Sequence, residues 1–116
     1  MMNPNEAVEA MRKAHFKAIA EAKNRYVPFF LSKLDERIRV SANHGMGSCR
    51  FKLDWIYFGT ANQPSSLVKA HTEQLFCKEI EHLGYRLVDK GHNTWDLYWY
   101  SDDMGAEMLQ ETMKGQ

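Results

Sequence analysis

The chain has 116 residues, 44% hydrophobic and 26% charged, with a formal net charge of zero. That length suits a single domain able to bury a core without staples, and the composition excludes a disordered chain. No apolar run approaches the roughly 20 residues a spanning helix needs. Residues 1–10 carry two acids and no apolar signal core, so a cytoplasmic protein is expected.

Charge is uneven along the chain. Residues 1–53 hold ten Lys/Arg against five Asp/Glu, and residues 54–116 hold five against ten, giving +5 and −5. Such a polarised molecule favours head-to-tail contacts or a charged partner surface.

Asn5 is the expected cap of a first helix, with Glu6 and Glu9 well placed in its first turn. Val8, Met11, His15, Ile19, Ala22 and Tyr26 recur at spacings of three and four and form a stripe on one face. The helix should reach about Arg25, and Pro28 places a break or kink at Val27. A second helix then buries Phe30, Leu31, Leu34, Ile38 and Ala42, keeps Lys33, Asp35, Glu36, Arg37 and Arg39 in water, and ends at Asn43-His44-Gly45.

Cys49 to Phe58 alternates as a strand, with Cys49, Phe51, Leu53, Trp55 and Tyr57 on one face. Ile56 and Phe58 make its end apolar on the second face as well. Gly59 to Gln63 is a loop, and Pro64-Ser65-Ser66 starts a third helix. Val68, Thr72, Leu75, Phe76, Ile80 and Leu83 lie there within an arc of about 140°, with Glu79 as the one misfit. Gly84 supplies a left-handed cap, and Tyr85 the apolar residue that follows it.

A hairpin comes next. Tyr85 and Leu87 lead into a loop at Asp89–Asn93, and Trp95, Leu97 and Trp99 face inward on the return strand, opposite Thr94, Asp96, Tyr98 and Tyr100. Met104, Met108, Leu109 and Met113 have loosely helical spacing. The expected fold is therefore α+β, a three-stranded antiparallel sheet packed by two or three helices in the order α-α-β-α-β-β. Residues 1–103 form the domain, and residues 104–116 are a tail or a short docked helix.

Little here specifies a reaction. The five histidines show no HxxxH, HExxH or CxxC spacing, so no metal and no cofactor are expected. There is no GxSxG elbow, Gly45-Met46-Gly47 is too short for a phosphate loop, and Cys49 and Cys77 read as small apolar fillers. Asp54 and Asp96 would face each other across paired strands, where exposed carboxylates beside Arg50 and Lys52 carry no catalysis. The expectation is a protein that is not an enzyme and has no small-molecule substrate.

Two binding readings remain. Eight of the 14 aromatics crowd into Phe51–Phe58 and Trp95–Tyr100, more than one sheet face buries, so some are free to anchor a partner. Phe58, Tyr98 and Tyr100 are the interface candidates, joined by Met104, Met108 and Met113 of the tail, since methionine adapts to irregular surfaces. Partner binding or self-association follows from this reading, with no membrane involved. The alternative is nucleic-acid binding through Arg12, Lys13, Lys17, Lys23 and Arg25 of the first helix. A helix before a hairpin also outlines a winged helix, but that motif needs two helices between its first strand and the hairpin.

From Asp35 to Trp99 the chain resembles small uncharacterised proteins of tailed bacteriophages. The resemblance lies in Ile38…Asn43-His44-Gly45, a strand, a helix closing on Leu83-Gly84-Tyr85, and the hairpin ending Trp95-Asp96-Leu97-Tyr98-Trp99. It implies a virion-associated or accessory viral protein acting through contacts, and it implies no catalytic residues.

Overall fold

In the computed structural model, which describes residues 1–114, the chain enters its first helix at Asn3. The Asn3 side-chain oxygen accepts the Glu6 backbone N–H at 2.9 Å, and its amide donates to Glu6 Oε1 at 2.9 Å. The cap lies two residues before the expected Asn5 because Pro4 fits the first helical position, where no N–H is needed.

α1 (Pro4–Glu21) does not break before Pro28. It passes through a π-helical turn, Ala22–Tyr26, into α2 (Val27–Asn43), and Val27 keeps helical angles of φ −60° and ψ −49°. The expected break or kink is thus a π turn, and the two expected helices stand end to end as one rod from Pro4 to Asn43. Its wide turn leaves room for the proline ring and spans the place where the missing N–H would have bonded.

Burial gives a second reason for the turn. Ala18, Ala22, Tyr26, Phe30 and Leu34 are all buried, one every fourth residue. In a regular α-helix each step of four drifts by about 40°, so these five would fan over about 160°. The extra residue of the π turn rotates the second half back by about 100° and brings both halves onto one face.

The strands are β1 (Ser48–Lys52), β2 (Arg86–Gly91) and β3 (Thr94–Tyr98), antiparallel in the order β1-β3-β2. Phe51 sits opposite Trp95, and Leu97 lies between Cys49 and Leu87. These side chains share the face under the helices. The other face, with Arg50, Lys52, Arg86, Lys90, Asp96 and Tyr98, is open.

α3 (Ser66–His82) starts where Ser65 Oγ accepts the Val68 N–H at 3.2 Å. It buries Val68, Thr72, Phe76 and Ile80 as its spacing requires, and the Thr72 hydroxyl donates to the Val68 carbonyl at 2.8 Å. Phe76 stacks on Phe51 at 5.5 Å and meets Trp95 at 6.4 Å, which joins helix to sheet. Gly84 (φ 99°) closes the helix as a left-handed cap, with the Gly84 N–H donating to Glu81 and the Tyr85 N–H to Ile80.

Other expectations are corrected. β1 stops at Lys52 because Asp54 accepts the Ile56 N–H at 3.1 Å and starts a 3-10 turn, Trp55–Phe58. Trp55 and Phe58 therefore turn inward onto Tyr26, while Ile56 is 73% exposed and Tyr57 also faces water. Asp54 never faces Asp96, whose neighbour on β1 is Arg50. The hairpin loop is two residues, His92 and Asn93, both with positive φ (52° and 58°), the mirror-image turn that matches strand twist. Leu83 and Ala42 lie outside the core, each one turn beyond the last residue that the packed elements cover. Lys33 is half-buried, with its ammonium over the Phe29 and Tyr57 rings.

The expected tail is α4 (Asp102–Lys114), started by Ser101 Oγ accepting the Met104 N–H at 3.4 Å. Gly115 and Gln116 of that tail lie outside the described residues. The rod of α1 and α2, at about 1.5 Å per residue, runs about 60 Å. It makes up most of the longest of the principal extents, 79 × 30 × 23 Å.

Candidate functional site

The long rod has two ends, and both carry apolar side chains in water. α3 is 17 residues long, so it covers only part of the rod. Its contact with α1 ends at His15, whose Nδ1 lies 2.8 Å from His71 Nε2 with the rings edge to face. One imidazole donates to the other there. Every residue before His15 is exposed. By helical geometry Pro4, Ala7, Val8 and Met11 continue the stripe that His15, Ala18, Ile19 and Ala22 press onto the domain. Val8 (51%) and Met11 (53%) thus extend a packing face with no neighbour beneath it.

The opposite end is built from the turn after α2. Trp99 Nε1 donates to the Met46 carbonyl at 3.0 Å, and the Trp99 and Tyr100 N–H groups both donate to Gly47, at 3.0 and 3.1 Å. The Tyr100 ring lies against Gly47, where a Cβ would collide with it, and its hydroxyl reaches over Gly105. Two glycines thus let a tyrosine clamp the base of α4 to the end of α2.

Beyond that clamp no helix or strand among the described residues packs along α4. Met104 and Met108 border an open cleft of about 310 Å³ with Ala42, Met46 and Trp99. Met108, Leu109 and Met113 stand in water at 53%, 62% and 66% exposure. Asp103, Glu107 and Glu111 follow at intervals of four and form an acidic row beside that apolar face.

The sequence candidates fall in distinct places. Met104, Met108 and Met113 share α4, and Tyr100 stands at its base. Tyr98 is on the open sheet face, half-covered by Arg86, whose guanidinium sits 4.7 Å above its ring. Phe58 is half-buried and packs on Tyr26 and Phe29 at 5.0 and 4.9 Å, so it fills the core edge. Arg12, Lys13, Lys17, Lys23 and Arg25 are all exposed along the rod, and only Lys13 and Lys17 lie one turn apart. Neighbours Arg12 and Lys13 diverge by about 100°, and Arg25 lies over the Tyr26 ring.

On the open sheet face Arg50 donates to both Asp96 oxygens, at 2.8 and 3.3 Å, and Lys90 approaches at 3.7 Å. The Arg50 hydrogen bonds hold the Asp96 carboxyl below the usual carboxylate range, with the charges of Arg50 and Lys90 adding to the effect. Both cysteines are free and half-buried. Burial pushes the Cys77 thiol up to about 11, helped by Glu73, Glu81 and Asp89, and burial also raises Cys49. Neither environment makes a reactive thiolate. Among the described residues no three His, Cys, Asp or Glu side chains gather as a metal-binding group, and no helix is long and apolar enough to cross a membrane.

The spacing placed Val8 and Met11 on one helix stripe without marking its end as exposed, and Leu109 is missing from the interface candidates. The available signal was helix length. A stripe longer than any segment able to cover it ends in water.

Comparison with protein-family models, curated proteins and solved structures finds no match.

Proposed function

We propose that this is a non-enzymatic protein-interaction module that holds other chains through the exposed helical faces at its two ends. The observation carrying the reading is the continuation of a core-type apolar stripe into water over residues 4–11, paired with an equally exposed face on α4. Large contiguous apolar patches on a small domain mark contact surfaces, and the flexible methionines suit an irregular partner. The resemblance to small tailed-phage proteins suggests the setting: a structural component of the particle or an accessory complex. The nucleic-acid alternative is less well supported, because Arg12 lies about 100° or more around the rod from Lys13 and Lys17.

The test is affinity capture with the full chain. Met108→Glu with Leu109→Glu should lose a partner that the native chain retains, while circular dichroism and the melting temperature stay unchanged. Retention of every partner by this variant and by Val8→Glu with Met11→Glu rejects the proposal. Salt-sensitive DNA binding that disappears on reversing Arg12, Lys13 and Lys17 together would favour the nucleic-acid alternative.

A further inference from the structure

We infer that the outer edge of β1 is a docking strand for an extended, acidic peptide segment of another protein, a contact separate from the two helical ends.

The backbone sets the shape of the occupant. Toward β3, the Trp99 N–H donates to the Gly47 carbonyl and the Leu53 N–H to that of Asn93. Between those two bonds Cys49 and Phe51 face Leu97 and Trp95. In an antiparallel ladder every second residue pairs with its neighbour, and the residues in between direct their backbone groups the other way. Ser48, Arg50 and Lys52 thus aim their N–H and C=O groups outward, where no strand among the described residues receives them. Donors and acceptors at alternate residues match an extended chain. A helix, with its backbone groups already bonded internally, does not supply them.

The surroundings set its charge. Side chains of an added strand fall alternately on the two faces of the sheet. On the helix side they enter a cleft of about 500 Å³ between α2 and β1, where Lys33 and Arg37 stand one turn apart beside Val40, Phe51 and Tyr57. On the open side they meet Arg50 and Lys52. Lys33, Arg37 and Lys52 form no ion pair among the described residues, and Arg50 spends only two of its N–H donors on Asp96. Glu36 is the acid lining the cleft. Asp54, past the end of the strand, is turned onto the Ile56 N–H. Cations therefore outnumber acids on both sides of this edge.

The sheet's other edge differs. The cleft between α3 and β2 is lined by Glu73 and Asp89, with no Lys or Arg among its lining residues. An acidic strand is attracted at β1 and repelled there. A second β1 would bring cation against cation, the device by which natural sheets block pairing of like edges.

The experiment uses the full chain and short fluorescein-labelled peptides of alternating residues. Fluorescence anisotropy reads binding, and amide hydrogen exchange by NMR reads its place. A glutamate–valine peptide should bind, and a lysine–valine peptide should not. Binding should slow exchange at Ser48, Arg50 and Lys52, whereas Cys49 and Phe51 are already slow in the free protein. Methylating every second peptide nitrogen removes the donors from one edge of the peptide strand, so one of the two possible methylated sets should lose binding and the other keep it. Arg37→Glu with Lys52→Glu, both exposed, should keep the native melting temperature and bind about tenfold more weakly. Met108→Glu with Leu109→Glu should bind the peptide as the wild type does, which separates this contact from the α4 face. Absence of glutamate–valine binding, the same outcome with both methylated sets, protection at other amides only, or unchanged affinity in the Arg37→Glu with Lys52→Glu variant overturns the inference.

Discussion

Pro28 sits in the middle of the rod, and replacing it asks what holds the π turn open. If proline forces the wide turn, Pro28→Ala should let Ala22–Tyr26 close into regular α-helix. If the core forces it, the turn should survive. Closing the turn would rotate α2 by about 100° and swing the fully buried Phe30 and Leu34 out of the core. By truncation values of about 3–5 kcal/mol for phenylalanine and 2–5 for leucine, that loss is roughly 5–10 kcal/mol. The gain is one regular backbone hydrogen bond, about 0.5–1.5 kcal/mol net. The core wins, so the turn stays open. The restored N–H and the lost proline rigidity then nearly cancel, leaving stability within about 1 kcal/mol of native. A melting curve should show a shift within about 6 °C, and amide NMR should still report the wide turn between Ala22 and Tyr26. Deleting the exposed Asn24 together with Pro28→Ala removes the extra residue itself, and should give a regular rod with its core register preserved. A π turn that vanishes in Pro28→Ala with no loss of stability would refute the register argument, as would failure of the deletion variant to fold.

Three further outcomes are expected. Phe76, fully buried between Phe51 and Trp95, joins helix to sheet. Phe76→Ala should cost about 3–5 kcal/mol in urea unfolding with an unchanged slope, and a loss under about 1 kcal/mol would show that the core is not centred there. Cys77, raised from 9.0 to about 11, should react slowly with iodoacetamide in the native state near neutral pH and quickly once unfolded. Its folded-state value is the higher one, so its contribution to stability is complete below about pH 9 and is lost as pH rises towards about 11. Asp96 has the opposite sign: its carboxyl is depressed by Arg50, so its contribution is present above the ordinary carboxylate range and lost as pH falls through the folded value. Arg50→Ala should move the Asp96 carbon-13 titration upward, and an unmoved midpoint would mean the ion pair is not formed in solution.

Where local chemistry decided the structure, the sequence was enough. Ser65, Gly84 and the four-residue spacing of Val68, Thr72, Phe76 and Ile80 each satisfy their hydrogen bonds or burial within a few residues, so α3 and its cap were readable. The alternation of Trp95 and Leu97 located the central strand for the same reason. Cys49–Phe58 shows the limit. Its residue types keep alternating past Lys52, but the Asp54 carboxylate takes the Ile56 N–H and turns the chain, a side-chain bond that hydrophobic pattern does not report.

How α1 and α2 join mattered most, because the expected break or kink is a π turn that keeps the helical run going and leaves the first turns of α1 exposed. Divided at Val27, the N-terminal half is two helices of ordinary length, and each can fold over a three-stranded sheet with nothing left uncovered. Joined through a π turn, the same residues make a rod more than twice as long as α3, and no element among the described residues covers its far end. The signal for joining them was present as the run Ala18, Ala22, Tyr26, Phe30 and Leu34. A strict period of four drifts around an α-helix, and it stays on one face only if the helix widens once along its length. Joined that way, α1 runs on past the residues that α3 covers and leaves Val8 and Met11 exposed. Under the function proposed above, that exposed stripe is one of the two faces a partner chain would cover.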